Sequence, residues 1–315
     1  MQNILTITLN PSIDKSIIVP GLVSDRKLHC RLQGIEPGGG GINVSRALKK
    51  LGGSSICWFL QGGYHGDFLI QLIREKKLDY KSFGILNETR ENVILLDEST
   101  QSQYLLDMAG PVVSSKEAMP LLNALRDNGP IEFVVASGSL PQGIPADFYA
   151  QLAKSVNLKG VKLILDTAGK ALELALNEGV YLIKPNLREF CSLTGASPDD
   201  WDDIHTKAKA LIRSKFCQVV VVSMGAKGAL LISERLSEHI DAPAVIKKST
   251  IGAGDSMMAG IVHQLSLGSD LRTAAAYGVA SGAAATIQAG SALCTKHDTD
   301  LLFAQVKRLQ SSTKK

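Results

Sequence analysis

Short apolar runs alternate with amphipathic stretches through most of this chain. Ile131 to Ala136, Val161 to Leu165, Val180 to Ile183 and Val219 to Val222 are each four to six residues long and rich in Val, Ile and Leu. Uninterrupted apolar runs of that length predict strands buried on both faces of a parallel sheet. Between them, Pro145 to Val156 and Ile204 to Lys215 carry the helical period and predict crossover helices. Met1 to Thr6 reads as a further strand. Strand and helix in alternation predict an α/β fold, a doubly wound, mostly parallel sheet flanked by helices.

Each run ends in polar or turn-forming residues. Ser137-Gly138-Ser139-Leu140-Pro141 follows the first, Asp166-Thr167-Ala168-Gly169 the second, Lys184-Pro185-Asn186 the third and Ser223-Met224-Gly225 the fourth. Open α/β sheets bind ligands at this carboxyl edge. Two segments break the rhythm. Ser12 to Ile35 and Arg90 to Asp107 read as antiparallel ribbons, the second as Asn92 to Leu96, a polar turn, then Gln103 to Leu106. They predict a small β insertion that covers the site or mediates dimer contact. The chain shows neither an internal repeat nor a linker long enough to mark a second independent domain.

Bulk composition narrows the class. The 315 residues are 45% hydrophobic and 20% charged, as in an ordinary globular protein. The net charge of +4 owes much to Lys307, Arg308, Lys314 and Lys315, and no basic helix is interleaved with aromatics, which argues against nucleic acid as a partner. Five cysteines (Cys30, Cys57, Cys191, Cys217 and Cys294) are scattered without zinc spacing. The start lacks the pattern of a secretory leader. The Ala-rich run Ala274 to Ala285 is interrupted by Tyr277, Gly278, Ser281 and Gly282, so no stretch reads as a membrane span. A reduced, cytoplasmic enzyme or binding protein fits.

Four motifs carry candidate chemistry. In Ser249-Thr250-Ile251-Gly252-Ala253-Gly254-Asp255-Ser256, a glycine turn leads into an apolar helix, Met257 to Leu267. Unpaired amides at a helix start attract anions, and a carboxylate beside them suits phosphoryl transfer. An Asp that merely caps the helix is the alternative. Gly38 to Gly41 are four glycines before the helix begun by Ile42 and Asn43, which suggests close backbone approach, or else a flexible turn. Neither stretch matches a Walker loop or a dinucleotide fingerprint. In Lys184-Pro185-Asn186-Leu187-Arg188-Glu189, Asn186 and Glu189 either hold hydrated magnesium through water or form a capping box. Ser223-Met224-Gly225-Ala226-Lys227-Gly228 is a turn on which a nucleotide could lie.

In this order, these residues resemble the ribokinase-like (PfkB) sugar-kinase family over nearly the whole chain. Gly38 to Gly63 is similar to the family's N-terminal signature, Ser249 to Gly260 to its C-terminal one, and Asp14 in Asn10-Pro11-Ser12-Ile13-Asp14 to its sugar-contacting Asp. The resemblance implies one kinase domain over residues 1–315, with a discontinuous β lid from about 12–35 and 90–107. Members that take fructose 1-phosphate or tagatose 6-phosphate typically place a Lys where this chain has Gly40. Arg26 to Cys30, Ser137 to Pro141 and Gly290 to Cys294 instead resemble the branch acting on fructose 6-phosphate.

Carried over residue by residue, the resemblance implies that Asp255 takes the proton from the sugar's C1 hydroxyl, while Gly252, Ala253 and Gly254 supply anion-hole amides. It implies that Asp14, Gly39 and Asn43 hold furanose hydroxyls with Ser139 nearby, and that Lys27 and Arg90 bind the 6-phosphate. Lys184, Asn186, Ser223, Gly225 and Gly228 would contact ATP, with Asn186 and Glu189 placing magnesium. Ser249, Ile251, Ala285, Gln288 and Gly290 lie in the segments that hold potassium in many members. His29 departs from the branch pattern, which has Arg there; an imidazole is a weaker phosphate ligand than a guanidinium.

The implied activity is ATP-dependent phosphorylation of fructose 6-phosphate to fructose 1,6-bisphosphate, by a likewise implied homodimer. The rivals are a kinase for tagatose 6-phosphate, fructose 1-phosphate or an unphosphorylated sugar, and a catalytically silent sugar-phosphate or nucleotide sensor on the same fold.

Overall fold

The apolar runs fold into strands whose side chains alternate between two cores. In the computed structural model, which describes residues 3–126 and 129–312, the chain enters on β1 (Ile4–Thr8) and forms a ribbon of β2 (Ser12–Val19) and β3 (Arg31–Gly38). The glycine loop then opens α1 (Gly40–Lys50), followed by β4 (Ile56–Gln61), α2 (Gly63–Glu75) and β5 (Asp79–Gly84). A second ribbon pairs β6 (Arg90–Asp97) with β7 (Ser102–Leu106). The crossover series runs α3 (Ser115–Arg126), β8 (Phe133–Ser137), α4 (Phe148–Asn157), β9 (Lys162–Asp166), α5 (Gly169–Leu176) and β10 (Val180–Ile183). After α6 (Leu187–Thr194) and α7 (Trp201–Arg213) come β11 (Cys217–Ser223), β12 (Ala229–Ser233) and β13 (Ser237–Ile240). Three helices end the described residues: α8 (Ala253–Ser266), α9 (Leu271–Thr286) and α10 (Lys296–Ser312). Met1 and Gln2 of the first expected strand, and Lys314 and Lys315 of the basic tail, lie outside the described residues.

The large sheet has nine strands in the order β13-β12-β11-β10-β9-β8-β1-β4-β5. Pairing is parallel from β5 to β11 and antiparallel at β12 and β13. Leu5, Ile7, Val134, Leu163, Leu165, Ile183 and Val220 point to one face, into a core completed by α3, α4 and α7. Ile4, Phe133, Val135, Ile164, Leu182 and Val221 point to the other, against α1, α8 and α9. Burial on both faces explains why those runs contain no polar alternation. Among the described residues the expected strands and crossover helices all form; Val180 to Ile183 keeps its ends and the others move theirs by one to three residues.

The two irregular segments make a second sheet, ordered β3-β2-β6-β7. Each ribbon is antiparallel within itself, as expected, but β2 and β6 join them in parallel, Ser12 opposite Arg90 through Val19 opposite Asp97. That seam places the start of both ribbons at the carboxyl edge of β1, beside the α1 glycine loop. It could not be read from the chain, because the partners are far apart in sequence.

The Ala-rich run becomes α9 and packs against α8. A Cβ at Gly278 would lie 2.5 Å from Ile261 Cγ1 and 2.9 Å from the Met257 carbonyl, so the small residues serve close helix approach. Among the described residues no helix is long and apolar enough to cross a membrane. Gly278→Val is expected to cost about 1–3 kcal/mol through overpacking, read as a lower midpoint of denaturant unfolding; an unchanged midpoint would contradict this packing.

Candidate active site

The first turns of α1 and α8 meet beneath the second sheet. Gly252 ends its turn in the left-handed region (φ 74°), which lets α8 start at Ala253. The Ala253 amide donates back to the Thr250 carbonyl at 3.3 Å, while those of Gly252, Gly254 and Asp255 have no acceptor among the described residues. Of the three amides expected to form a nest, those of Gly252 and Gly254 are free, that of Ala253 is spent in the turn, and the Asp255 amide is free beside them. Asp255 does not cap the helix, because no side-chain cap bond forms there. Its carboxylate instead accepts a hydrogen bond from Asn43 Nδ2 at 3.0 Å.

Opposite stands the glycine loop. Gly39 has φ 104°, and a Cβ there would lie 2.7 Å from Thr8 Cγ2. A Cβ at Gly38 would fall 2.4 Å from the Asp14 carboxylate, at Gly40 2.1 Å from Ser137 Oγ, and at Gly41 2.5 Å from the Ile7 carbonyl. The steric reading of this loop holds, but the close neighbours are the chain's own atoms: the loop is wedged onto the ends of β1 and β8.

A cavity of roughly 410 Å³ opens between these turns and the second sheet. Asp14, Arg90 and Asn92 line it from above, Gly39 and Asn43 from the glycine loop, Gly252 and Asp255 from the start of α8. Asp14 is buried and accepts from Ser12 Oγ at 2.7 Å and Asn92 Nδ2 at 3.2 Å; burial raises its pKa despite them. Arg90 is pinned at the rim by Asp107 Oδ1 at 2.6 Å and by the carbonyls of Met108 and Asn10. Ser139 is not part of the lining; its Oγ accepts from Asn10 Nδ2 at 3.2 Å, and the Asn10 carbonyl in turn accepts from Arg90. Lys27 and His29 are not brought in: both sit exposed on the loop between β2 and β3, outside the cavity lining. A broader groove of about 1610 Å³ lies at the opposite strand edge, around Val161, Val180 and Cys217, and holds none of the expected site residues.

The remaining strand ends flank α8. Lys184 is buried and pairs with Asp166 Oδ2 at 3.2 Å; its Nζ lies 3.5 Å from where a Gly254 Cβ would stand. Asn186 bridges to Ser223, whose amide donates to the Pro185 carbonyl at 2.9 Å. Asn186 and Glu189 form the reciprocal capping box, each bond 2.9 Å. The box uses one Glu189 oxygen and leaves the other open, so capping and water-mediated metal contact are compatible. Gly225 faces open space, whereas Gly228 makes room for the chain itself: a Cβ there would lie 1.9 Å from the Ile240 carbonyl.

Of the five expected potassium positions, three converge. Ser249 Oγ donates within reach of the Gly290 carbonyl at 2.8 Å and of Gln103 Oε1, on β7, at 2.9 Å, and accepts from the Ile251 amide. The Ala285 carbonyl accepts from the Gln288 amide, and the Gln288 side chain turns to Asp298. Asp166 and Arg46 were not among the expected site residues. Asp166 was visible as a polar strand end, but its proximity to Asp255 comes only from the neighbouring strands; nothing local in the sequence signals the contact of Arg46 with Asn43.

Burial, and then the negative charge of Asp166, push Asp255 up to about 6, against the stabilising Asn43 bond and Lys184. Carbon-13 NMR of the Asp255 carboxyl is expected to show titration near that value. Asp166→Asn removes a like charge and lowers it; Asn43→Ala removes a donor to the ionised form and raises it. Shifts of the opposite sign would overturn this account.

A carboxylate at an amide-lined helix start, with a buried cation on one side and a polar cavity on the other, fits one class, phosphotransferases that act on an alcohol group, and its known relatives place the chain there. Residues 7–298 match the family model described as pfkB family carbohydrate kinase. The "ATP-dependent 6-phosphofructokinase isozyme 2" of Escherichia coli (strain K12) is 34% identical over 309 residues, spanning 98% of this chain and 100% of the relative. The "1-phosphofructokinase" of Borreliella burgdorferi is 32% identical over 305 residues, spanning 96% and 97%. The crystal structure of phosphofructokinase-2 from Escherichia coli in complex with potassium superimposes with a TM-score of 0.93 at 35% identity, covering 98% of this chain and 100% of that one. The chain belongs to the pfkB family of carbohydrate kinases, and its fold is ribokinase-like.

Proposed function

We propose that this protein is an ATP-dependent 6-phosphofructokinase. The observation that carries the reading is the placement of Asp255: one carboxylate borders both the amide nest beside Lys184 and the cavity lined by Asp14, Asn43 and Arg90. Fructose 6-phosphate lies in that cavity with its hydroxyls on Asp14, Gly39 and Asn43, and Ser139 nearby. Its 6-phosphate meets Arg90, and Lys27 as the lid closes. Asp255 accepts the C1 hydroxyl proton, the hydroxyl oxygen bonds to the γ-phosphorus, and the bond to the bridging oxygen breaks to release ADP. The amides of Gly252 and Gly254, with Ala253 forming the turn, hold the charge that develops on the transferring group.

ATP lies along the carboxyl ends of β10 and β11, on Lys184, Asn186, Ser223 and Gly225, with Gly228 shaping the turn. The hard oxygens of Asp166, Asn186 and Glu189 on that side fit a hydrated magnesium ion. Magnesium, when bound, neutralises phosphate charge. The oxygens gathered by Ser249 and Gly290 fit potassium, with Ile251, Ala285 and Gln288 framing them. Choice of substrate follows from Gly40. The Lys that relatives taking fructose 1-phosphate carry there would collide with Ser137 Oγ, which leaves the phosphate to be held at the other end of the sugar by Arg90 and Lys27.

ADP release measured across fructose 6-phosphate, fructose 1-phosphate, tagatose 6-phosphate and fructose, with and without potassium, is expected to favour the first by far. Preference for another sugar overturns the specificity, and binding without ADP release makes the protein a sensor. Asp255→Asn should lose about 10²–10⁴-fold in kcat. Arg90→Ala should raise KM for the sugar phosphate about ten- to a hundredfold. Since Asp255 works ionised, kcat/KM should rise with pH through about 6 and level off above it.

A homodimer is part of the same proposal and is supported by the second sheet; a cytoplasmic setting goes with the sugar-kinase reading. Among the described residues its outer strands β3 and β7 have unpaired edges; Leu32, Tyr104, Leu105 and Leu106 are exposed on it, and Leu22 and Val23 on the loop between β2 and β3. Such edges and apolar side chains invite a second copy. Sedimentation velocity should show a dimer for the native chain and a monomer for Leu32→Glu combined with Leu106→Glu; an undisturbed dimer places the interface elsewhere.

A further inference from the structure

We propose that Arg46 is a positioning residue for the base: its guanidinium fixes the Asn43 amide with the nitrogen toward Asp255 and ties that pair to strand β3 of the lid. The inference rests on the kinase reading of Asp255. Arg46 lies one turn after Asn43 on α1 and is 6% exposed. Its Nη1 donates to Asn43 Oδ1 at 2.8 Å and to the Pro37 carbonyl at 2.9 Å, and its Nη2 pairs with Glu36. Glu36 and Pro37 belong to β3, so one buried side chain touches the lid and the residue that touches the base.

The chemistry of an amide explains why such a residue is needed. The two ends of the Asn43 side chain have the same shape, and only one of them can donate to a carboxylate. A guanidinium has donors alone, so it accepts next to it only the oxygen end. With Arg46 in place, the nitrogen must face Asp255. Without it, Asn43 can turn its oxygen toward the carboxylate, and the ionised base loses a donor and gains a repulsion.

The charged groups around this chain are few. Facing Arg46 are Glu36 on β3, Asp14 on β2, Lys50 on α1, Lys76 on α2, which also pairs with Glu36, and Asp255 itself. Facing Asp255 are Asp166 at the end of β9, Lys184 after β10 and Asp14. Removing the Arg46 charge and freeing Asn43 both disfavour the ionised base, so both push its titration upward.

The test is a double-substitution cycle. Fructose 6-phosphate turnover and its pH profile are measured for the native protein, Arg46→Gln, Arg46→Lys, Asn43→Ala and the two double variants. Each Arg46 substitution is expected to lower kcat about tenfold or more and move the acid limb of kcat/KM to higher pH. Lys keeps the charge but lacks the fork, so its effect isolates orientation. In the Asn43→Ala background the Arg46→Lys change should cost less than about twofold. Equal losses in both backgrounds, or a native kcat and acid limb in folded Arg46 variants, would overturn the proposal. Circular dichroism shows whether Arg46→Gln folds; if it does not, the Arg46→Lys cycle decides. Carbon-13 titration of Asp255 in Arg46→Lys reads the same effect without turnover, so an inactive native protein counts against the kinase reading alone, and an unmoved titration counts against Arg46.

Discussion

A hydrogen bond from the Asn43 amide to the Asp255 carboxylate joins the two glycine-rich turns between which the cleft is built. The partners are 212 residues apart, one in the first turn of α1 and the other in the first turn of α8. For them to meet, both helices must start at the same edge of the large sheet and pack side by side on the same face. The core shared by Val44, Ala47 and Leu48 of α1 with Met258, Ile261 and Val262 of α8 accomplishes this. The position of the Asp255 carboxylate therefore depends on an apolar interface outside the cavity lining.

Close approach is the second constraint, and it is met by omission of side chains. The glycine loop sits so near β1, β8 and Asp14 that a Cβ at any of its four positions would collide with them. That wedging leaves α1 with its first turn aimed across at α8. It also puts Asp14 into a buried, hydrogen-bonded setting where its carboxylate faces the cavity. Burial raises the proton affinity of Asp14 and of Asp255 alike, and at Asp255 the nearby Asp166 charge adds to it. A carboxyl poised near 6 suits the proton-accepting role proposed for it.

The second sheet connects to both turns. Glu36 and Pro37 of β3 reach Arg46 on α1, and Gln103 of β7 reaches Ser249 just ahead of α8. The second sheet is thus bonded to the turns that precede Asn43 and Asp255. Under the proposed kinase reading, that linkage would let closure of the sheet over the cavity act directly on the turn that carries Asp255.

Much was legible in the chain alone because it is written locally. Apolar runs such as Val180 to Ile183 declare strands buried on both sides, and a glycine turn before Asp255 declares a helix start with unpaired amides. The two ribbons were legible for the same reason. Residue order also carried the family signatures, and with them the class of reaction. What the tertiary structure alone decided is which distant pieces touch. The parallel seam of β2 with β6, the approach of Asp166 to Asp255, and the reach of Arg46 across Asn43 all join residues brought together by sheet order and helix packing. No local pattern encodes those meetings, because propensity and periodicity act over a few residues, whereas hydrogen bonds and charges act between whichever groups the folded core sets side by side.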